Sequence, residues 1–229
     1  MTVDLDRDAA AHNTPEARAA AVNSPAWSSA LTLSSHPRLP GVLRDWLRVR
    51  DCLTVHGARD LAVTPASLVL WGRTGAGKTG LACCALRALA AAGWGSTFYW
   101  NLVTAPRPSA AASDEGRVRP SPCWFESWPR LLALHRRARW DEEAWFDLLE
   151  ERVAALVLDD VGVDVGTPYR ESFLLRHIEW ASEVPRRVLV LTLNDPPSEW
   201  ATVLGERNND RLLDPSRFTA VSVDGPSLR

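Results

Sequence analysis

Lysine is almost absent from this 229-residue chain. Lys78 is the only one, so arginine supplies 25 of the 26 Lys and Arg residues. Together with 28 Asp and Glu residues this gives a formal net charge of −2, which provides no overall attraction to nucleic acid or to an anionic membrane. Any contact with DNA therefore has to come from a local cluster of arginines. A single retained lysine in an arginine-rich chain indicates a position that an arginine does not fill.

The chain also lacks long apolar runs and cysteines at metal-binding spacing. No segment approaches the roughly 18 consecutive apolar residues of a membrane-spanning helix. The first residues include Asp4, Asp6 and Asp8 and no apolar stretch, which argues against a secretory signal. The four cysteines form no Cys-x-x-Cys pair, which argues against a zinc site. We therefore expect a cytoplasmic protein with reduced cysteines and no membrane partner.

What the sequence does contain, from residue 66 onward, is a regular alternation of short apolar segments and longer helical ones. The predicted strands are Ser67–Trp71, Ser96–Trp100, Ala155–Leu158, Arg187–Leu193 and Phe218–Val223. The predicted helices are Lys78–Ala92, Ser127–Arg139, Glu142–Arg152 and Tyr169–Ser182. Because apolar strands connected by helices form a parallel sheet covered on both faces, residues 66–229 are predicted to be one α/β domain.

Three other segments differ from this pattern in composition. Residues 1–37 are rich in Ala, Ser, Asn and Pro and predict a flexible N-terminal segment. Residues 38–65 predict a helical segment that leads into the first strand, with Trp46 and Leu47 on its apolar face. Residues 102–122 are polar and Pro-rich, so we expect a long surface loop inserted into the domain.

The lysine lies in the motif Gly-x-x-x-x-Gly-Lys-Thr, written GRTGAGKT over residues 72–79, between a predicted strand and a predicted helix. Glycines let backbone N–H groups surround a phosphate, and the positive end of the following helix points at the same place. We expect Lys78 to contact the β- and γ-phosphates of ATP and Thr79 to bind Mg²⁺. A small ammonium fits such a cradle where a planar guanidinium does not. The predicted nucleotide-binding residues are Gly72, Arg73, Thr74, Gly75, Ala76, Gly77, Lys78, Thr79 and Gly80.

Polar side chains also follow two later strands. The segment AALVLDDVG, residues 154–162, has the form of a Walker B strand. We expect Asp159 to hold Mg²⁺ through water and Asp160 to orient or activate the attacking water. The next strand ends in Thr-Leu-Asn, which puts Asn194 at the carboxyl edge of the sheet, where ligands bind in open α/β folds. There an amide can hold the lytic water or sense the γ-phosphate; the alternative for Asn194 is a residue that merely ends the strand in a turn.

With these motifs in place, residues 66–229 resemble the AAA+ ATPases of the helicase-loader type, DnaC and DnaI, and the related transposition helper IstB. The resemblance is carried by WGRTGAGKTGLA, ESWPRLLALHRR, WFDLLEERVAALVLDDVGVDVGTPYRESFLLRHIEWA, RRVLVLTLN and LGERNNDRLLDPSRFTAVSVDGPSLR. The segments LDDVG and ERNNDRLL are more specific than the phosphate loop, which many families share.

The resemblance implies ATP binding, hydrolysis coupled to assembly, and a role in DNA replication. It implies a P-loop NTPase fold whose five-stranded parallel sheet has the order 5-1-4-3-2, with no C-terminal helical lid. It also implies that the chain self-associates through ATP and that Arg211, with Arg207 as second choice, reaches the ATP of a neighbouring subunit. Arginine suits that role because its charge is permanent and its fork can span two phosphate oxygens. A surface salt bridge is the alternative for either side chain.

The partner is a separate question. The family resemblance implies a replicative helicase or another DNA-processing protein, although residues 1–65 do not match the N-terminal domains of the loaders. Arg130, Arg136, Arg137 and Arg139 form a basic cluster that could contact single-stranded DNA, or could simply be a solvated helix face. Two other functions stay open, namely an IstB-like transposition helper and a non-hydrolysing ATP-dependent adaptor.

Overall fold

The computed structural model describes residues 67–91, 123–136, 141–162, 167–184 and 187–223. The strands in these ranges are β1 (Ser67–Trp71), β2 (Cys123–Ser127), β3 (Ala155–Val161), β4 (Val188–Leu193) and β5 (Phe218–Ser222). The helices are α1 (Lys78–Ala91), α2 (Trp128–His135), α3 (Glu142–Arg152), α4 (Pro168–Glu183), α5 (Trp200–Leu204) and α6 (Glu206–Leu212), with a 3₁₀ turn at Pro197–Glu199. The predicted segments 1–37, 38–65 and 102–122 lie outside the described residues.

The five strands form one parallel sheet in the order β2-β3-β4-β1-β5. This is the predicted order 5-1-4-3-2 read from the other edge, so the predicted P-loop NTPase sheet is confirmed. Because all strands run in one direction, the segments that follow β1, β3 and β4 leave the sheet at the same edge. Gly72, Asp159 and Asn194 all lie at the carboxyl ends of these central strands.

The strand beside β3 was not foreseen. The sequence pattern suggested Ser96–Trp100 as the second strand, and those residues lie outside the described ranges. In the structure Cys123–Ser127 pairs with β3, and Ser127 is opposite Asp159. The segment CWFES contains the strand-favouring residues Trp124 and Phe125, but it is short, has no Val, Ile or Thr and includes the charged Glu126, so its strand signal is incomplete.

The bounds of α3 follow local capping. The Asp141 side chain accepts a hydrogen bond from the Ala144 N–H at 3.1 Å, which satisfies one of the unpaired donors at the start of α3. Acidic residues occupy the first turn of α3 and Arg152 its last turn, as the helix dipole favours. The helix therefore begins and ends at the predicted residues.

The sheet separates two apolar clusters. On one face the strand residues Leu68, Leu70 and Val190 pack with Leu81 and Leu86 of α1. The other face packs against α2, α3, α4, α5 and α6 through residues that include Leu156, Leu191, Phe173, Trp200 and Leu212. Both faces of the central strands are therefore buried, and β3 and β4 each begin with four consecutive apolar residues, ALVL and VLVL.

A histidine is buried among the helices of the second face. His177 Nε2 accepts a hydrogen bond from Trp145 Nε1 at 3.0 Å, and its Nδ1 lies 2.7 Å from the Phe173 carbonyl oxygen as a donor. Burial lowers the pKa of His177 to about 4, so the neutral ring is the stable form. His177 is a satisfied core residue. Within the described ranges, no helix has both the length and the apolar character needed to cross a membrane.

Candidate nucleotide-binding site

The loop between β1 and α1 wraps around the Lys78 ammonium. Gly72, Gly75 and Gly77 all have positive φ values, of 143°, 82° and 97°, so the loop follows a path that side-chain-bearing residues rarely adopt. Lys78 is the first residue of α1 and is only 5% exposed. Its Nζ donates to the carbonyl oxygens of Gly72 at 2.7 Å and Arg73 at 2.9 Å. The predicted phosphate loop therefore has the compact form and the helix N-terminus that an anion site requires.

Asn194 connects this loop to the end of β4. Its Oδ1 accepts a hydrogen bond from Lys78 Nζ at 2.9 Å and lies 3.4 Å from Thr74 Oγ1. The contact is possible because β4 is the direct neighbour of β1 in the sheet, with Trp71 opposite Leu193. Asn194 thus does more than end the strand, since its amide faces the phosphate loop.

Asp159 lies near the carboxyl end of β3, between two hydroxyl groups. Thr79 Oγ1 donates to Asp159 Oδ2 at 3.2 Å, and Thr192 Oγ1 donates to Asp159 Oδ1 at 2.7 Å. Burial raises the pKa of Asp159, and the charge of Asp160 raises it further, although the two hydroxyls and Lys78 act in the opposite direction. A buried carboxylate of this kind gains from a bound cation, which restores the electrostatic stabilisation that water would give.

Asp160 has an unusual backbone conformation. Its φ is 59°, and it is the only non-glycine residue with a positive φ in the described part of the chain. The β3–β4 pairing shifts here, because Leu158 is opposite Leu191 whereas Val161 is opposite Leu193. Two aspartates therefore oppose the single residue Thr192, which is the arrangement of a β-bulge.

The donor set fits both ligands that the sequence predicted. Thr79 and Asp159 offer a hydroxyl and a carboxylate oxygen side by side, which are the hard oxygen ligands that Mg²⁺ prefers. Lys78, the glycine loop and the first turn of α1 provide a positive surface for phosphate. The chemistry of these side chains therefore matches a nucleotide with its magnesium ion.

The two predicted trans-acting arginines differ in their surroundings. Arg207 is 71% exposed and its Nη2 lies 3.4 Å from Glu179 Oε1, as in an ordinary surface ion pair. Arg211, in the last turn of α6, is half-buried and makes no hydrogen bond or ion pair with another described residue. Arg211 is therefore the better candidate for a contact outside its own subunit.

The predicted basic cluster is only partly within the described ranges. Arg130 on α2 is 70% exposed, with Nη1 3.7 Å from Glu126 Oε1. Arg136 directly follows α2 and is exposed, whereas Arg137 and Arg139 lie outside the described residues. Two of the four arginines therefore lie at opposite ends of one short helix.

Sequence reasoning missed Thr192, and it did not foresee the contact between the predicted loop residue Thr74 and Asn194. Thr192 is the only polar residue within β4 and lies two positions before Asn194, so both side chains are on the same face of the strand. That spacing is the signal that could have identified it. The hydrogen bond between Thr74 and Asn194 joins residues 120 positions apart and has no local signal.

Comparison with known proteins agrees with this fold. No protein-family model and no curated protein matches the chain. Among solved structures, that of DnaI has a TM-score of 0.60 at 16% identity, and the match covers 93% of this chain and 99% of the chain in that structure. A DnaC helicase loader has a TM-score of 0.54 at 14% identity, covering 86% of this chain and 99% of that one. The AMPPCP-bound DnaA from Aquifex aeolicus has a TM-score of 0.50 at 13% identity, covering 84% and 49% of the two chains. The chain therefore has the P-loop NTPase fold of the DnaI and DnaC structures.

Proposed function

We propose that this chain binds ATP with Mg²⁺ and hydrolyses it as a cytoplasmic AAA+ module that acts in DNA replication together with a replicative helicase. The observation that carries the proposal is the convergence of Lys78, Thr79, Asp159 and Asn194 at one edge of the sheet, joined by hydrogen bonds of 2.9 to 3.2 Å. The similarity in fold to a DnaC helicase loader supports the role in replication.

Each side chain has a separate task in this mechanism. The loop N–H groups and Lys78 bind the β- and γ-phosphates, and Thr79 and Asp159 would hold Mg²⁺. When bound, Mg²⁺ neutralises part of the charge that the phosphates carry. Asn194 contacts the loop from β4, where its amide can report the presence of the γ-phosphate.

Asp160 is the residue best suited to orient the attacking water. It directly follows the predicted magnesium ligand and is half-buried. Both oxygens of Asp159 already accept hydrogen bonds from hydroxyls, whereas no described residue donates to the Asp160 carboxylate. That carboxylate is therefore available to accept a hydrogen bond, and then a proton, from a water molecule next to the γ-phosphate.

The test is Asp160→Asn, measured by steady-state ATPase with and without single-stranded DNA and by binding of a fluorescent ATP analogue. We expect turnover to fall by about 100-fold or more while nucleotide affinity stays nearly unchanged, because general bases contribute roughly 10²- to 10⁴-fold. Asp147→Asn, at an exposed position on α3, is the matched control and should leave both quantities unchanged.

Three results would count against the proposal. Full ATP turnover in Asp160→Asn would show that hydrolysis does not need the Asp160 carboxylate. Tight ATP binding without turnover in the unmodified chain would identify an ATP-dependent adaptor. Purification of the tagged chain from its native cell should recover a replicative helicase; recovery of a transposase together with double-stranded DNA would identify a transposition helper instead.

A further inference from the structure

The bulge in β3 leaves a gap in the backbone pairing of the sheet. Where two residues oppose one, the extra residue loses its regular ladder partner. In this sheet the lost partner is replaced by a side chain, because the Asp160 N–H donates to Thr192 Oγ1 at 2.9 Å. The positive φ of Asp160 is a conformation that costs free energy and persists only when its surroundings hold it.

The same hydroxyl also holds the neighbouring carboxylate. Thr192 Oγ1 donates its only proton to Asp159 Oδ1 at 2.7 Å while it accepts the Asp160 N–H. Thr192 itself is completely buried. One hydroxyl thus connects the side chain of Asp159 to the backbone of Asp160.

A role in core packing alone would not need this hydroxyl. Valine has nearly the same shape as threonine and would continue the apolar run VLVLTL of β4. With valine, however, the Asp160 N–H and the inner oxygen of Asp159 would both lose the partner that the structure gives them. Buried polar groups without a partner are costly, so both aspartates would be expected to move.

We propose that Thr192 is a positioning residue, whose hydroxyl holds Asp159 and Asp160 in the arrangement that binds magnesium nucleotide and orients water. The inference rests on the proposed function, since it concerns the same site. Thr192 acts only through the two aspartates. It lies on the opposite side of Asp159 from Thr79, so the carboxylate is held between β4 and α1.

The test compares Thr192→Val and Thr192→Ser in the full chain, and the probe is a fluorescent ATP analogue titrated with Mg²⁺. Loss of an outer partner of a metal ligand typically costs about 10- to 100-fold in metal affinity or activity. We therefore expect Thr192→Val to raise the Mg²⁺ concentration for half-maximal nucleotide binding by about tenfold or more. In the same variant kcat should fall by a similar factor, with a smaller change in KM for ATP. Thr192→Ser keeps the hydroxyl. Its Mg²⁺ requirement and its kcat should therefore stay within about threefold of those of the unmodified chain, which corresponds to about 0.65 kcal/mol.

Two further variants separate this role from stability. Thr219→Val removes a threonine hydroxyl from β5, which β4 and β1 separate from β3, and should change neither value. If Thr192→Val does not fold, Thr192→Ala and Thr192→Ser both lack the methyl group and differ only in the hydroxyl. We expect the alanine variant to show the raised Mg²⁺ requirement and the serine variant to lack it.

The outcomes distinguish this inference from the proposed function. If the unmodified chain binds nucleotide without turnover, the proposed ATP hydrolysis is wrong. The Mg²⁺ titration of nucleotide binding still tests the role of Thr192 in that case. If the unmodified chain hydrolyses ATP and neither Thr192→Val nor Thr192→Ala changes the Mg²⁺ requirement, the positioning role is wrong and the ATPase function stands.

Discussion

Within the described part of the chain, three oxygen acceptors lie within 2.9 Å of the Lys78 Nζ, which carries three ammonium protons. Two acceptors are carbonyls of the glycine loop and the third is the amide of Asn194. Charge-assisted hydrogen bonds of this kind are roughly twice as strong as neutral ones. The geometry also explains why the chain keeps a lysine here, since three acceptors converge on one point and a planar fork cannot satisfy all of them.

Lys78→Arg should therefore lose nucleotide binding although it keeps the charge. The guanidinium is larger than the ammonium and has no room at a position that is 5% exposed. We expect ATP affinity to fall by at least about tenfold, which corresponds to the loss of about 1.4 kcal/mol. Binding of a fluorescent ATP analogue measures this, and Arg87→Lys on the same helix is the control for the reverse exchange. Normal affinity in Lys78→Arg would show that positive charge alone is sufficient.

The roles of individual polar residues could be predicted from the sequence only where a local motif marks them. Lys78 and Thr79 are marked by the phosphate-loop spacing, and Asp159 by its place at the end of an apolar strand. Thr192 is marked only by being the one polar residue of β4, two positions before Asn194, and its role depends on a bulge in the neighbouring strand that no local pattern predicts. The strand prediction ended at Leu158 because two charged residues follow, whereas the structure continues pairing to Val161.

At the scale of the elements, the backbone that follows β1 contacts the backbone that follows β5. The Val223 N–H donates to the Trp71 carbonyl oxygen at 2.8 Å. A Cβ atom added to Gly72 would lie 2.5 Å from the Val223 carbonyl oxygen, and Gly72 has a φ of 143°. The phosphate loop thus begins where two backbone segments touch, and a side chain there would separate them.

This contact gives a prediction for a pair of glycines. Gly205, at the start of α6, also has a positive φ, but its added Cβ would meet the flexible side chain of Glu171. We expect Gly205→Ala to cost about 1–3 kcal/mol from backbone strain alone. Gly72→Ala should cost more, because a backbone carbonyl cannot move aside as a side chain can.

Thermal unfolding followed by circular dichroism measures the difference between the two variants. For a chain of this size the melting temperature falls by about 2–4 °C per kcal/mol. Equal melting temperatures for Gly72→Ala and Gly205→Ala would contradict the tight contact between β1 and β5. An unchanged melting temperature for Gly72→Ala would contradict both the close contact of Gly72 with the Val223 carbonyl and the strain of a positive φ at this position.

The elements that the sequence predicted well are those with strong local signals. Ser67–Trp71 and Glu142–Arg152 have the predicted bounds, since one has four consecutive apolar residues before a glycine and the other is a capped helix. Cys123–Ser127 was missed because its strand character depends on pairing with β3, which no local pattern encodes. The strand order was accessible only through the resemblance to a known family, because nothing local specifies which strands become neighbours.

For the whole molecule, the main prediction concerns contact between subunits. Arg211→Ala should leave ATP affinity nearly unchanged and lower turnover, because the arginine is expected to act on the ATP of a neighbour. Arginines in this role contribute about 10³- to 10⁵-fold to turnover. Arg207→Ala, which breaks only a surface pair with Glu179, is the matched control and should have a small effect.

Mixing two inactive variants tests the trans role directly. Lys78→Ala cannot bind ATP but keeps Arg211, whereas Arg211→Ala binds ATP and lacks the arginine. In a mixed assembly, an Arg211→Ala subunit with bound ATP can lie next to a Lys78→Ala subunit that supplies Arg211. ATPase activity should therefore reappear on mixing. If activity stays absent at every ratio, Arg211 does not act across a subunit boundary.

The position of β1 in the sheet determines when the site can form as the chain is made. Leu68 pairs with Val190 on one side and with Thr219 on the other, so both neighbours of β1 come more than 100 residues later. At synthesis rates of about 5–20 residues per second, roughly 6 to 30 seconds separate β1 from its partners. During that time both edges of the apolar segment SLVLW are open to wrong pairing or to a chaperone. Its phosphate loop lacks the support of Asn194 and Val223 until both residues have been synthesised, so ATP can stabilise the domain only after that point and cannot guide its early folding.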